Sequence, residues 1–297
     1  MTLPFSDSHG RIGPYDRGTA WTPLGYGNIA TGYRGTVHFT SSDVQAVLPA
    51  DYNFSSGDNG VHAFSATLDT AGTQSLAATD TVTPTLTVSQ TGISVVAGAM
   101  SKFVVSGYLA TTAGTSHSFT VKATDAYGNV ITSYRGSVHF TSSDVQSSLP
   151  GNYTFSAGDN GVHTFSATLK TAGNQSITAT DTVTSSIAGS QSGIVVMAAA
   201  ATHLAISAPA NVSLGVAFSV TVTALDAYGN IATGYLGTIH FTSSDQKAIL
   251  PSDYTFVAAD VGVHTFMVTF KSSGTQTLTA TDTHTGSIKG SASVKAS

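Results

Sequence analysis

The chain predicts an all-β protein: tandem immunoglobulin-like β-sandwich domains of about seven strands each, with the first one N-terminally truncated. Three observations predict it. One stretch is spelled three times, with Tyr26-Gly27-Asn28, Tyr127-Gly128-Asn129 and Tyr228-Gly229-Asn230 spaced 101 positions apart and no gap before the Ala-Thr-Asp-Thr that follows in each copy. A unit of about 100 residues is the usual size of one such sandwich. Thr, Ser, Ala, Gly and Val dominate the composition, and Thr and Val suit half-buried strands, whereas the Glu that long helices favour is absent. Runs of strict alternation complete the case: residues 217–224 (AFSVTVTA) place Phe218, Val220, Val222 and Ala224 on one face.

In chain order, residues 1–25 form a non-repeat leader. They stand where the second copy has its first strands, yet they share no pattern with KFVVSGYLATTAGTSHSFTVKATDA. The leader carries the only Trp, Trp21, with turn-forming clusters and no period-2 alternation. It is read as a foreign leader on a truncated first domain, or as a segment that folds back to supply a substitute strand. The repeats follow as 26–100 (incomplete), 101–201 and 202–297.

The third repeat is the clearest complete unit. Residues 203–210 read as a first strand and 217–224 as a second. Asp226-Ala227-Tyr228-Gly229-Asn230 is a turn, because Asp accepts backbone N–H bonds and Gly and Asn tolerate positive φ. Residues 238–243 form a strand with Ile239 and Phe241 inward and His240 outward. Leu250-Pro251-Ser252-Asp253-Tyr254 turns into a short strand ending at 258–260. Residues 262–270 alternate again, with His264, Phe266, Val268 and Phe270 sharing parity. A turn at 273–276 leads to a strand over 277–283, and residues 287–296 close the sandwich. Turns every 8–12 residues complete the pattern. The second repeat follows suit with Phe119, Val121 and Ala123 inward. The junctions 95–100 and 195–201 are short and are not Gly/Ser or Pro-rich tethers, so an elongated and modestly flexible array is expected.

Composition narrows the function. Net charge is −5, with only 11 Lys and Arg, so the basic footprint that nucleic acid needs is missing. All sixteen acidic residues are Asp, and Cys is absent, which removes disulfides, thiolate metal sites and cysteine nucleophiles. No apolar run reaches the ~20 residues of a spanning helix. The N-terminus lacks the apolar centre of a signal peptide. An extracellular or cell-surface location is expected, with the chain a fragment of a longer protein.

The order strand, Asp-Ala-Tyr-Gly-Asn, strand, Ser-Asp, Gly-Val-His-Thr-Phe, Ala-Gly-Thr-Gln, Ala-Thr-Asp resembles bacterial Ig-like repeats of the invasin/intimin type and, more distantly, filamin-type repeats. The resemblance covers roughly residues 26–297. It implies a structural or adhesive module, a spacer or binding rod of a bacterial surface or secreted protein. A protein or carbohydrate surface ligand would be its partner, with calcium at domain junctions in some members. No adhesin tip or membrane anchor is visible. The incomplete first repeat would leave a strand edge uncovered, which invites self-association.

Candidate chemistry rests on the repeated His, Asp and Asn. His62, His163 and His264 begin their strands at core parity, near the rim, and are the candidate catalytic histidines. His38, His139 and His240 face outward from strands expected in the opposite sheet, so one metal would not join both sets. No HxH or HExxH spacing is present. No cofactor is required by these residues, and calcium is the ion that loop oxygens would take, because it needs six to eight of them. Its candidate ligands are Asp125, Asn129, Asp226, Asn230, Asp159 and Asp260, with Asp144, Asp245, Asp181 and Asp282 nearby in sequence. The same residues are standard turn formers. The alternative function is a divalent-metal-dependent hydrolase of esters or lactones using Asp/His loop residues. A G-x-S-x-G elbow does not occur. Triplication fits core and turn demands better than a single active site, and only the leader, with Asp7, His9, Asp16 and Trp21, breaks the equivalence. An isopeptide bond through Lys170 or Lys271 is disfavoured, because Asp69 holds that position in the first repeat and no Glu assists.

Overall fold

The computed structural model describes residues 2–4 and 29–297. Asp7, His9, Asp16, Trp21 and the first Tyr-Gly-Asn triplet lie outside the described residues. The chain divides into two compact units, Met1–Ser101 with Ala123–Thr132, and Lys102–Lys122 with Ser133–Ser297.

The first unit holds strands β1 (Thr2–Pro4), β2 (Thr36–Ser41), β3 (Tyr52–Asn53), β4 (Val61–Ala63), β5 (Gly72–Asp80) and β6 (Thr87–Val95). One sheet runs in the order β3-β2-β5-β6, and β1 pairs antiparallel with β4. Its core is small: Val37, Phe39, Phe54 and Ala78, with Tyr33, Leu48, Tyr52, Phe64, Leu86 and Val88 packed around them. Val37 and Phe39 alternate with the exposed His38, as the sequence pattern requires.

Two sandwiches of the same topology follow, held in the second unit apart from the last two residues of β9. In one, β7 (Lys102–Ser106), β9 (Ser116–Thr124) and β12 (Val162–Thr168) form a three-stranded sheet in the order β12-β9-β7. The opposite sheet is β11-β10-β13-β14-β8, from β8 (Thr111–Thr112), β10 (Ser137–Ser142), β11 (Tyr153–Thr154), β13 (Gly173–Asp181) and β14 (Ala188–Met197). The other sandwich repeats this with β15 (His203–Ser207), β17 (Ala217–Leu225) and β20 (Val263–Thr269) facing β16-β22-β21-β18-β19. These last strands are β16 (Asn211–Val212), β18 (Thr238–Ser243), β19 (Tyr254–Thr255), β21 (Gly274–Asp282) and β22 (Lys289–Ala296). Phe218, Val220, Val222 and Ala224 of β17 meet Ile239, Phe241, Leu278 and Ala280 from the facing sheet, with Phe256 and the fully buried Phe270 beside them. This is sheet-on-sheet packing of inward-facing alternate residues.

Three local expectations are corrected, and one strand is new. The segment expected to continue as strand to 258–260 is a two-residue strand followed by one 3-10 turn, Ala258–Asp260, because Asp260 reaches back to the Val257 N–H. The turn expected at 273–276 is already strand from Gly274, whose φ of +108° lets β21 start there. The junction expected at 195–201 is shorter, since β14 continues through Met197. A short strand pairing parallel with the last one, β16 on β22, has too few residues to show alternation and gave no sequence signal.

Candidate functional site

The Asp-Ala-Tyr-Gly-Asn loops are the densest polar features. In the first unit, Asp125 Oδ1 accepts the N–H groups of Tyr127 at 3.0 Å and Asn129 at 2.9 Å. Asp125 Oδ2 accepts the Gly98 N–H at 2.9 Å and the Asn129 side-chain amide at 2.8 Å. The loop is thus an Asx turn closed twice, and the glycine at its bend, Gly128, has φ +90°. Asn129 also donates to the Asp69 carbonyl at 2.7 Å and accepts the Ala71 N–H at 2.8 Å. The second unit repeats every one of these bonds: Asp226 with Tyr228, Asn230 and Ala199, and Asn230 with Lys170 O at 2.7 Å and Ala172 N–H at 2.8 Å. Burial raises the carboxyl pKa of Asp226, but the Asn230 and backbone N–H bonds outweigh it and hold the group below the ordinary range.

A second recurrent group surrounds each 3-10 turn. Asp159 Oδ2 accepts the Ser156 N–H and hydroxyl, and its Oδ1 lies 2.5 Å from His163 Nδ1. Tyr153 donates to the same carboxylate and packs its ring 4.1 Å from the His163 ring. The Asp58/His62/Tyr52 and Asp260/His264/Tyr254 groups repeat this arrangement. Burial acts to raise the Asp159 carboxyl, and the bonds from Ser156, His163 and Tyr153 outweigh it, holding it well below the usual range. His163 lies on β12 and His139 on β10, in opposite sheets, as the sequence indicates. The outward set pairs separately, His38 with Asp51, His139 with Asn152 and His240 with Asp253.

Two further sets complete the account. Asp245 takes the N–H groups of Lys247, Lys271 and Ser272 and the Ser272 hydroxyl. Burial raises its pKa, yet these donors hold it at about 2. The last set was not legible as a site from sequence. Tyr33, Tyr134 and Tyr235 donate their hydroxyls to Asp80, Asp181 and Asp282, whose other oxygens accept two backbone N–H groups. The signal that could have found it is a Tyr 47 positions before the Asp in every copy. The glycine two residues after each Tyr is obligatory: a Cβ on Gly237 would lie 2.1 Å from Asp282 Oδ2.

Chemically, these aspartates act as acceptors for N–H and O–H groups. A calcium ion at Asp125, Asn129, Asp226, Asn230, Asp159 or Asp260 would have to displace those donors to gather its oxygen ligands. Among the described residues there is no group of three or more His, Cys, Asp or Glu side chains that could hold a metal ion. Every buried side-chain N or O atom among them has a hydrogen-bond partner, as native interiors demand.

No family model and no curated protein matches the chain. Among solved structures it is similar to the Escherichia coli adhesin FdeC, at 17% identity over 91% of this chain and 88% of that one, with a TM-score of 0.36. It is similar to invasin, a bacterial integrin-binding protein, at 16% identity over 88% of this chain and 53% of that one, with a TM-score of 0.35. A glycosyl hydrolase family 2 member from Bacteroides cellulosilyticus matches at 12% identity over 64% of this chain and 24% of its own, with a TM-score of 0.31. The chain thus spans about half of invasin and a quarter of the hydrolase. The sandwich assignment rests on strand order and register in this chain, not on these likenesses.

Proposed function

We propose that the chain is a structural and adhesive module of a bacterial surface or secreted protein, a run of Ig-like repeats that holds or presents binding surfaces by mechanical continuity. One observation carries this reading. The carboxamides of Asn129 and Asn230 each bond two backbone groups of the preceding repeat while bonding the Asp of their own loop. A side chain so placed joins neighbouring repeats through main-chain atoms, whose positions do not depend on side-chain identity. Chemistry-bearing residues that recur in register and face amide donors serve the fold in every copy. An extracellular or cell-surface location, and a protein or carbohydrate ligand, go with this reading. Self-association would use the strand edge of the first repeat beyond the Val61–Ala63 stretch that β1 pairs.

Pulling the full chain between two surfaces tests it. The two complete repeats, unfolding one at a time, give similar length increments, each on the order of 300 Å for about 100 residues at 3.3–3.6 Å apiece. Unfolding in a single event, or without resisting force, would refute a mechanically continuous module. Metal-dependent turnover of an ester by the same sample would instead favour the hydrolase.

A further inference from the structure

The junction in the second unit has an acceptor side and a loop side. The acceptor side consists of the Lys170 carbonyl and Ala172 N–H, which Asn230 engages, and Gln146, which donates to the Tyr228 carbonyl at 3.2 Å. It also includes Gly114, at φ +85°, over which the Tyr228 ring lies so closely that a Cβ there would meet its hydroxyl at 2.1 Å. The Gly114 N–H is held by Leu169 O, and the Ala113 N–H by Met197 O.

The third repeat rebuilds the backbone of this acceptor side. Gly215, at φ +77°, has its N–H held by Phe270 O, and the Leu214 N–H is held by Ser297 O. Asp245 gathers the Lys271 and Ser272 N–H groups as Asp144 gathers those of Lys170 and Thr171, so the same carbonyl and the same following N–H are presented. Lys247 stands where Gln146 donates. The difference is coverage. Gly114, Lys170 and Ala172 are half-buried, and Ala113 is buried, whereas Gly215, Lys271 and Ser273 are exposed and Leu214 is 40% exposed.

We infer that this face of the third repeat, formed by Gly215, Leu214, Lys271 O and Ser273 N–H, is a docking site for an Asp-Ala-Tyr-Gly-Asn loop of another Ig-like repeat. The occupant's Asn carboxamide donates to Lys271 O and accepts from Ser273 N–H, and its Tyr ring covers Gly215 and Leu214. The inference rests on the reading that such loops join repeats, and continuity with the two junctions already formed identifies the occupant. It also explains the conservation of shape without cover: φ stays positive at Gly215, and Asp245 still orders the 271–273 backbone, with Leu214 and Val216 left in solvent.

The test uses the full chain and a version carrying a second copy of residues 197–297 after Ser297, which continues the 101-residue register. Amide hydrogen exchange is read at Ala172 and Ser273. The expected result is exchange at Ser273 about fivefold or more slower in the extended chain, the worth of one net hydrogen bond. That protection is lost with Asn230→Ala in the appended copy only. Tyr228→Ala in that copy, which leaves the loop's Asp and Asn bonds in place, reduces the protection and re-exposes Leu214. Unchanged Ser273 exchange across all versions, with Ala172 still protected through Asn230, overturns the docking site and leaves the module reading intact. Ala172 exchange that ignores Asn230→Ala in the original chain overturns both.

Discussion

Asn230 and Ala172 lie 58 positions apart, and the Asn230 side-chain oxygen accepts the Ala172 N–H at 2.8 Å. The other end of the same carboxamide donates to Lys170 O, so one side chain completes two main-chain groups of the preceding repeat. Asn230→Ala leaves both without partners at a half-buried junction. The expected cost is about 1–3 kcal/mol, read as a lower midpoint in urea with an unchanged slope. Asn230→Asp should fare little better, because a carboxylate cannot donate to Lys170 O. A neutral outcome for both would remove the junction from the account.

Val261 carries φ +46°, where the first two repeats place Asn59 and Asn160 at +49° and +48°. The left-handed region costs L-residues roughly 1–2 kcal/mol, and a β-branched side chain is worst placed there. Val261→Asn should therefore stabilise the protein by about 1 kcal/mol, and Val261→Gly should also relieve the strain. Urea denaturation checks both. Destabilisation by Asn would show that Val261 gains more from packing than it loses to strain.

Tyr235 and Asp282 form a buried staple. Burial and the adjoining carboxylate both push the Tyr235 hydroxyl pKa well above its ordinary value, so it stays a donor throughout the usable pH range. Tyr235→Phe removes one donor and should cost about 1–3 kcal/mol. Gly237→Ala should cost at least as much, since its Cβ would collide with both members of the pair. Thermal melting of the two variants and their double mutant should show non-additive losses, as expected for residues sharing one contact.

The aspartates set the response to acid. The carboxyls that accept backbone N–H bonds, Asp43, Asp125, Asp144, Asp226 and Asp245 among them, have depressed folded pKa values, about 2 at Asp43 and Asp245 against an ordinary value near 3.9. A group depressed in this way contributes fully above its unfolded pKa, and the contribution is lost as pH falls toward the folded value. Stability should hold level from pH 7 to about 5 and then drop steeply between about 4 and 2. Melting temperature against pH gives the profile, and a flat line down to pH 2 would contradict the bonding around these carboxylates.

Much of this was legible in the sequence because repetition separates demands of the fold from accident. Inward placement of Phe218, Val220, Ile239 and Phe241 follows from alternation, and the separation of His139 from His163 follows from parity and strand order. The Asx turn at Asp226 is likewise local chemistry. The reach of Asn230 to Lys170 and the Tyr235–Asp282 pair are not local: each joins residues far apart in the chain, and a single sequence shows only that both partners recur. The short strand β16 is set by its neighbour, and β19 is expected but ends early, where a carboxylate reaching backward makes the 3-10 turn at Ala258–Asp260. Residue type alone cannot tell an Asp that accepts amides from one that accepts a cation.

Calorimetric melting of the full chain separates the two. Samples in EDTA and in millimolar calcium should melt at the same temperature, while Asn230→Ala lowers the melt equally in both. A calcium-dependent rise, abolished by Asp226→Asn or Asp125→Asn, would make the loop aspartates metal ligands and contradict the account.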